Sequence, residues 1–444
     1  MKKIFIYIIL TLFFTASVTA KGFKADFTSV ISDSDIPKSS VSMSVKNVDN
    51  GKVLYQHNEK ILSHPASVQK LLTLPAAVET LGEDYRFSTE LYKSGDNGYL
   101  IKLGADPYLN SDNLNSLVSN IKAADVKQIY IDDSIIERKD WGEGWQWDDS
   151  MNVSMPKFNS YNLDGNLINI TVMPTVKGQS PLIINSSKYP IVFLNNVITG
   201  DKNDVKLSRD SAISGNALML SGTVSSSTVI SFPIKNLQRY FDFKLTQSLE
   251  NNNIYLKNPY KRVKVASSDV KYTQISHPIS FAIDDILKNS NNMAIETVMK
   301  IAGGKKYETI GTDSLGLKLF EAYCNKLNLN IEDIRLVDAS GVSKNNLVNA
   351  DFVTNYLVKQ KDNETLKHLP CPGEGTLSAR MIPLKDNLRA KTGTLSDISS
   401  IAGYITSKKG KQYAFCIIIN DPKSTNSDKK ALEDYLIRTI YIKG

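Results

Sequence analysis

Three short segments place reactive side chains in a fixed order along the chain: Ser67-Val68-Gln69-Lys70, Ser290-Asn291-Asn292 and Lys391-Thr392-Gly393-Thr394. They supply a serine hydroxyl with an amine three residues on, a hydroxyl–amide pair, and a cationic segment able to hold a carboxylate. A serine activated by a lysine base, with no histidine required, is the chemistry of acyl transfer. Each segment alone carries little. Serine followed three residues later by lysine also occurs at Ser119, Ser154, Ser268 and Ser427, and Ser-x-Asn recurs at Ser111, Ser160 and Ser343. Lys-Thr-Gly occurs once, at Lys391. Order and setting carry the reading.

The setting follows from pattern. Alternation over Ser42–Lys46, the turn pair Asn50-Gly51 and then Lys52–Tyr55 predict a β-hairpin. Pro65-Ala66 leads into Ser67, and Leu71, Leu72, Leu74, Ala76, Ala77 and Val78 predict an apolar helix kinked at Pro75. Ser67 is then expected at a helix N-terminus, where N–H groups favour developing negative charge, with Lys70 on its face. A helix over Ile279–Lys288 delivers Ser290, and Met293–Ile301 continues helically beyond it. A strand over Asn387–Leu395 carries Lys391, followed by a hairpin of Ser400–Thr406 and Gln412–Ile419 around Lys409-Gly410, and a closing helix over Ser427–Ile440.

Between the first two motifs the text is β-rich. Strands are expected at Asn97–Leu103, Gln128–Asp133, Leu167–Val172, Ile191–Leu194 and Thr228–Ser231, with an amphipathic helix over Leu114–Ala123. The predicted architecture is α+β: an antiparallel sheet covered by helices, with a β-rich insertion of one or two domains. Residues 21–85 and 266–444 would form the catalytic domain, and residues 86–265 the insert.

Composition narrows the class. The 444 residues are 41% apolar and 22% charged, as in a globular protein of more than one domain. Lys2-Lys3, an apolar run from Ile4 to Ala16, and Val18-Thr19-Ala20 before Lys21 predict a signal peptide over residues 1–20. No later segment is long and apolar enough to span a bilayer, so an exported protein of the periplasm or cell envelope is expected, with no transmembrane anchor after cleavage. The formal charge of +7 suits a solvated basic surface or an anionic polymer. No aromatic-basic platform points to nucleic acid. Cys324, Cys371 and Cys416 allow at most one disulfide within the chain, and Cys324 and Cys416 sit in apolar stretches expected to bury them as thiols. His57, His64, His277 and His368 are scattered, and no spacing predicts a metal site or another cofactor. The missing Gly-x-Ser-x-Gly elbow argues against an α/β-hydrolase triad.

Taken together, the three motifs resemble those of the penicillin-recognising serine acyltransferases. More narrowly, the chain is similar to the D-alanyl-D-alanine carboxypeptidase/endopeptidase family of class C low-molecular-mass penicillin-binding proteins. Gly104–Leu109, Ile131–Ser134, Gly144–Asp149, Asp338–Ser343 and Arg389–Leu395 with Ala402-Gly403-Tyr404 carry that likeness. Ala105 and Ala339 stand where the family often has glycine.

The resemblance implies that Ser67 attacks the carbonyl between two D-alanines of a peptidoglycan stem peptide, and that Lys70 takes its proton. A free lysine titrates near ~10.4, so burial and a second cation, Lys391, are expected to lower it. Ser290 would relay the proton to the leaving amine and Asn292 hold the substrate amide. Lys391, with the Thr392 and Thr394 hydroxyls beside Gly393, would bind the terminal carboxylate. The Ser67 and Thr394 N–H groups would form the oxyanion hole. β-Lactam antibiotics would be covalent inhibitors. Trp145, Trp147, Asp148 and Asp149 read as core aromatics and turn acids, with substrate selection as the sharper alternative. A β-lactamase-like hydrolase and a catalytically silent peptidoglycan-binding protein are the competing functions.

Overall fold

The computed structural model describes residues 26–444 apart from 96–97, 123–125, 210–215 and 258–259. The signal peptide with its cleavage point, Asn97 at the start of one expected strand, and Ala123 at the end of one expected helix lie outside the described residues.

Strands β1 (Val41–Asn47) and β2 (Val53–His57) form the expected hairpin. The insert region contributes β3 (Arg86–Ser94), β4 (Gly98–Lys102), β5 (Gln128–Asp132), β6 (Leu167–Met173), β7 (Leu182–Ile184), β8 (Val192–Thr199), β9 (Lys206–Ser208), β10 (Ala217–Val224), β11 (Thr228–Pro233), β12 (Lys261–Arg262) and β13 (Val270–Pro278). The chain closes with β14 (Leu388–Thr394), β15 (Ile398–Thr406) and β16 (Gln412–Asn420). The two ends of the chain build one antiparallel sheet in the order β14-β15-β16-β1-β2.

That sheet is buried on both faces, which is why β16 reads as a near-continuous apolar run. Strand alternation divides its side chains. Ala402, Ala414, Cys416 and Ile418 pack on the side of helices Lys70–Leu81 and Asn292–Lys306. Ile401, Phe415, Ile417 and Ile419 pack against Leu432, Leu436, Ile437 and Ile440 of the closing helix, Asn426–Lys443. The helix Lys70–Leu81 is buried on nearly every side and runs on through Pro75. Burial all round, not amphipathicity, explains its unbroken apolar text.

A second five-stranded sheet, ordered β12-β5-β4-β3-β13, and two three-stranded sheets, β8-β10-β9 and β11-β6-β7, occupy the middle of the chain. Their buried apolar side chains, from Leu91 to Ile254, form a separate core. Strand β13 lies beyond residue 265 yet pairs with β3, and the Ile279 N–H reaches the Tyr85 carbonyl at 2.8 Å. We propose that the chain passes between the two bodies at Tyr85/Arg86 and Pro278/Ile279. Phe87, Ala105 and Ile136 belong to the core around the nucleophile helix, so the bodies also share side chains.

The helix expected over Leu114–Ala123 forms instead at Ser111–Val118. Asn110 caps its start through a reciprocal bond with Asn113, and the Asn120 amide takes the Ser116 carbonyl at its end. Both are local polar competitions that apolar periodicity does not register. All three cysteines are free and buried.

Candidate active site

Ser67 sits in a 3₁₀ turn, Ala66–Gln69, that leads into the helix starting at Lys70, not on the first α-turn expected from sequence. Ala66 is left-handed at φ 46°, a strained conformation for a residue with a Cβ. His64 fixes the approach. Its Nδ1 accepts the Ala66 N–H at 3.0 Å, which leaves Nε2–H to donate to the Ser343 carbonyl at 2.6 Å. Burial lowers the His64 pKa, in keeping with a neutral ring.

Lys70 is fully buried, and its Nζ lies 2.8 Å from Ser67 Oγ and 2.8 Å from the Ser340 carbonyl. A third hydrogen bond goes to Asn292 Oδ1. Burial brings the amine down to about 7, against the opposing pull of Asp338 and Glu296. Lys391 is also fully buried, with its Nζ 2.9 Å from the Thr392 carbonyl. Its pKa is lowered well below the ordinary value, first by burial and then by the charge of Lys70. The expected like-charge repulsion is therefore present, but it falls on Lys391, while desolvation acts on Lys70.

The second motif is built by a helix ending. Helix Ile279–Asp284 passes into one π turn, Asp285–Asn289, and Ser290 follows in the left-handed region at φ 65°. Such turns recur at functional sites. Asn291 caps the next helix by accepting the Ala294 N–H at 2.9 Å, and its amide donates to Asp285 at 2.7 Å. Asn292 is buried, with its amide donating to the Ser154 carbonyl at 2.8 Å while its oxygen holds Lys70. The half-buried Ser290 hydroxyl makes no hydrogen bond among the described residues and lines a groove of about 490 Å³ with Tyr108, Ser154 and Asp285. Lys70 thus links Ser67 to Asn292 by hydrogen bonds, whereas Ser290 lines the groove that Asn292 also borders.

In β14, Lys391 and Gly393 alternate with Thr392 and Thr394. A Cβ at Gly393 would meet the Ser67 backbone nitrogen at 2.8 Å and Ala66 Cβ at 2.9 Å. Glycine lets the strand close on the nucleophile turn. Thr394 is exposed at the strand end, and the Thr392 hydroxyl lies 2.6 Å from that of Thr376.

Two carboxyl groups support this centre without appearing in any of the three motifs. Asp338 accepts from Gly341 N–H (2.8 Å), Asn346 Nδ2 (2.8 Å), Gln69 Nε2 (3.2 Å), Ser343 N–H (2.6 Å) and Trp145 Nε1 (2.9 Å). It pins the turn whose Ser340 carbonyl holds Lys70. Glu296 lies one turn beyond Asn292 on the same helix. The spacing of Asn292, Glu296 and Lys300, polar at every fourth position of a buried helix, was a signal available in the sequence. Trp145 is buried, as expected of a core aromatic, but Trp147 is 84% exposed. Ala105 adopts φ 51°, accounting for the glycine expected there, whereas Ala339 does not enter the left-handed region.

Comparison with known proteins places the chain in a family. A family model described as the D-Ala-D-Ala carboxypeptidase 3 (S13) family matches residues 23–439. The D-alanyl-D-alanine carboxypeptidase DacB of Haemophilus influenzae is 24% identical over 428 residues, covering 90% of this chain and 89% of that one. The D-alanyl-D-alanine carboxypeptidase of Actinomadura sp. strain R39 is 24% identical, covering 89% of this chain and 80% of its own. The crystal structure of penicillin binding protein 4 from Haemophilus influenzae superposes with a TM-score of 0.83 at 22% identity, covering 94% of this chain and 99% of that one. Its complex with a β-lactam gives a TM-score of 0.77 at 21% identity, with the same coverage of both chains.

Proposed function

Because the chain belongs to the D-Ala-D-Ala carboxypeptidase 3 (S13) family, we propose that its reaction runs through an acyl-enzyme on Ser67. The protein is a serine-type D-alanyl-D-alanine carboxypeptidase/endopeptidase and a penicillin-binding hydrolase. Its substrates are peptidoglycan stem peptides or cross-links, met outside the cytoplasm after export. No described helix is long and apolar enough to cross a membrane.

The observation that carries the residue assignment is the 2.8 Å contact between Lys70 Nζ and Ser67 Oγ in a buried pocket. With the amine brought down to about 7, a sizeable share of the molecules hold a neutral base at neutral pH, against roughly a few in ten thousand for a free lysine. Lys70 takes the Ser67 proton as Oγ attacks the D-alanyl carbonyl. The oxyanion falls between the Ser67 and Thr394 N–H groups. The proton passes by way of Ser290 to the departing amine, and water later releases the acyl chain. Asn292 orients Lys70 and the substrate amide. Burial and the Lys70 charge loosen the hold of Lys391 on its proton, and an arriving carboxylate, seated by Thr392 and Thr394 beside Gly393, favours the charged amine. β-Lactams enter the same route and stop at the acylated serine.

Labelling with a fluorescent penicillin tests this reading. A stable adduct that disappears in folded Ser67→Ala is expected. Rapid loss of the label would mark a lactamase, and no label a silent binding protein.

A further inference from the structure

We propose that Glu296 is a positioning residue for the base: it grips the backbone of the 339–340 turn and so fixes the carbonyl that holds Lys70. The proposal rests on Lys70 acting as the base. Glu296 Oε1 accepts the Ser340 N–H at 2.8 Å and the Ala339 N–H at 3.1 Å, and Oε2 lies 3.2 Å from the latter. The Ser340 carbonyl, on the other side of the same residue, accepts from Lys70 Nζ at 2.8 Å. One peptide segment therefore joins the two side chains. Glu296 also shares its helix face with Asn292, one turn before it, whose oxygen holds the same amine.

Glu296 is 3% exposed, and among the described residues no ion pair includes it. The next polar residue on its face, Lys300, is engaged by Glu137 at 3.2 Å and Asp313 at 3.0 Å. A buried carboxyl group without a counter-charge is costly, and here it is offset by two N–H groups of the turn that holds Lys70. Burial, then the neighbouring Asp338, raises the Glu296 pKa to about 8. The groups that bear on this pair come from every side: Asp338 from the turn, Lys391 from β14, Asp313 from beyond the helix, and His64 behind Asp338.

The test is the pH profile of penicillin acylation, with thermal stability measured in parallel. In the wild-type protein the rate rises through an ionisation near neutrality. Glu296→Leu leaves both turn N–H groups without their acceptor and frees the Ser340 carbonyl from Lys70, so the charged amine loses a hydrogen bond and the rising limb should move to lower pH by about half a unit or more. Glu296→Gln keeps an acceptor oxygen for the turn and should restore the wild-type limb. If Glu296→Leu does not fold, Glu296→Asp, too short to hold both N–H groups, serves, and its limb should move the same way. A limb that stays in place while the rate or stability falls uniformly would reduce Glu296 to a structural residue and overturn the proposal. A wild-type rate without any ionisation near neutrality would overturn both this proposal and Lys70 as base.

Discussion

Lys70 and Lys391 carry the same functional group into one buried pocket, and their neighbours give them different work. Lys70 is bound to a hydroxyl, an amide oxygen and a carbonyl, the surroundings of an amine that gives and takes a proton. Among the described residues Lys391 donates to its neighbour's carbonyl, on the strand where a carboxylate is expected. Lys391→Ala should therefore lower kcat/KM for a peptide ending in a free carboxylate by roughly ten- to a hundredfold, the worth of a charge-assisted hydrogen bond. The same peptide capped as an amide should lose much less; equal losses for the two peptides would remove the carboxylate role. Ser67, Lys70, Asn292 and Lys391 were legible in the sequence because their chemistry rests on residue type and short spacing. The roles of His64 and Asp338 were not, since each acts through a partner hundreds of residues away, and Glu296 showed only as a polar position on a buried helix face. Trp147 misled for the same reason: hydrophobic type predicts burial, but only the fold decides it.

At the scale of elements, local polar chemistry reset boundaries that hydrophobic periodicity had placed. A 3₁₀ turn replaced the expected helix start at Ser67, and a π turn ended the helix before Ser290. The central sheet was readable in part because burial on both faces leaves a near-continuous apolar run in β16. The fit of β14 against the nucleophile turn is less forgiving. In Gly393→Ala the added methyl would meet Ser67 N and Ala66 Cβ at under 3 Å, and also the Ser400 hydroxyl. Overpacking of this kind costs about 1–3 kcal/mol. The protein should stay folded with a lowered Tm, while acylation slows at least about tenfold as the turn is pushed from the strand. Calorimetry and acylation kinetics on the same sample check both halves; an unchanged acylation rate would show that the close approach is dispensable.

Across the whole molecule, the middle of the chain is more than an accessory. Trp145 donates to Asp338, and the Ser154 carbonyl takes the Asn292 amide, so the insert touches both the turn and the amide that hold Lys70. Deleting residues 86–265 should abolish penicillin acylation even where circular dichroism shows remaining structure; acylation at the full rate would mean these contacts are incidental. On the far side, Lys46 pairs with Asp351 at 2.6 Å, with both side chains under a tenth exposed. Asp351→Ala strands that ammonium and should cost roughly 3–5 kcal/mol in urea unfolding. Burial opposes ionisation of Asp351, but its bonds to Lys46 and Lys60 prevail and lower its pKa. Its stabilisation is therefore complete above the unfolded carboxyl value and is lost as pH falls through the lowered folded value. The central claim, a serine acylated with the help of an uncharged lysine, is tested most directly by the rate of penicillin acylation between pH 5 and 9 in the wild-type protein and in Lys70→Arg. The wild-type rate should climb through about pH 7, with the label on Ser67, and the arginine variant, which cannot lose its proton, should stay near zero throughout. Wild-type-like acylation by Lys70→Arg, or a label on any residue other than Ser67, would contradict the account.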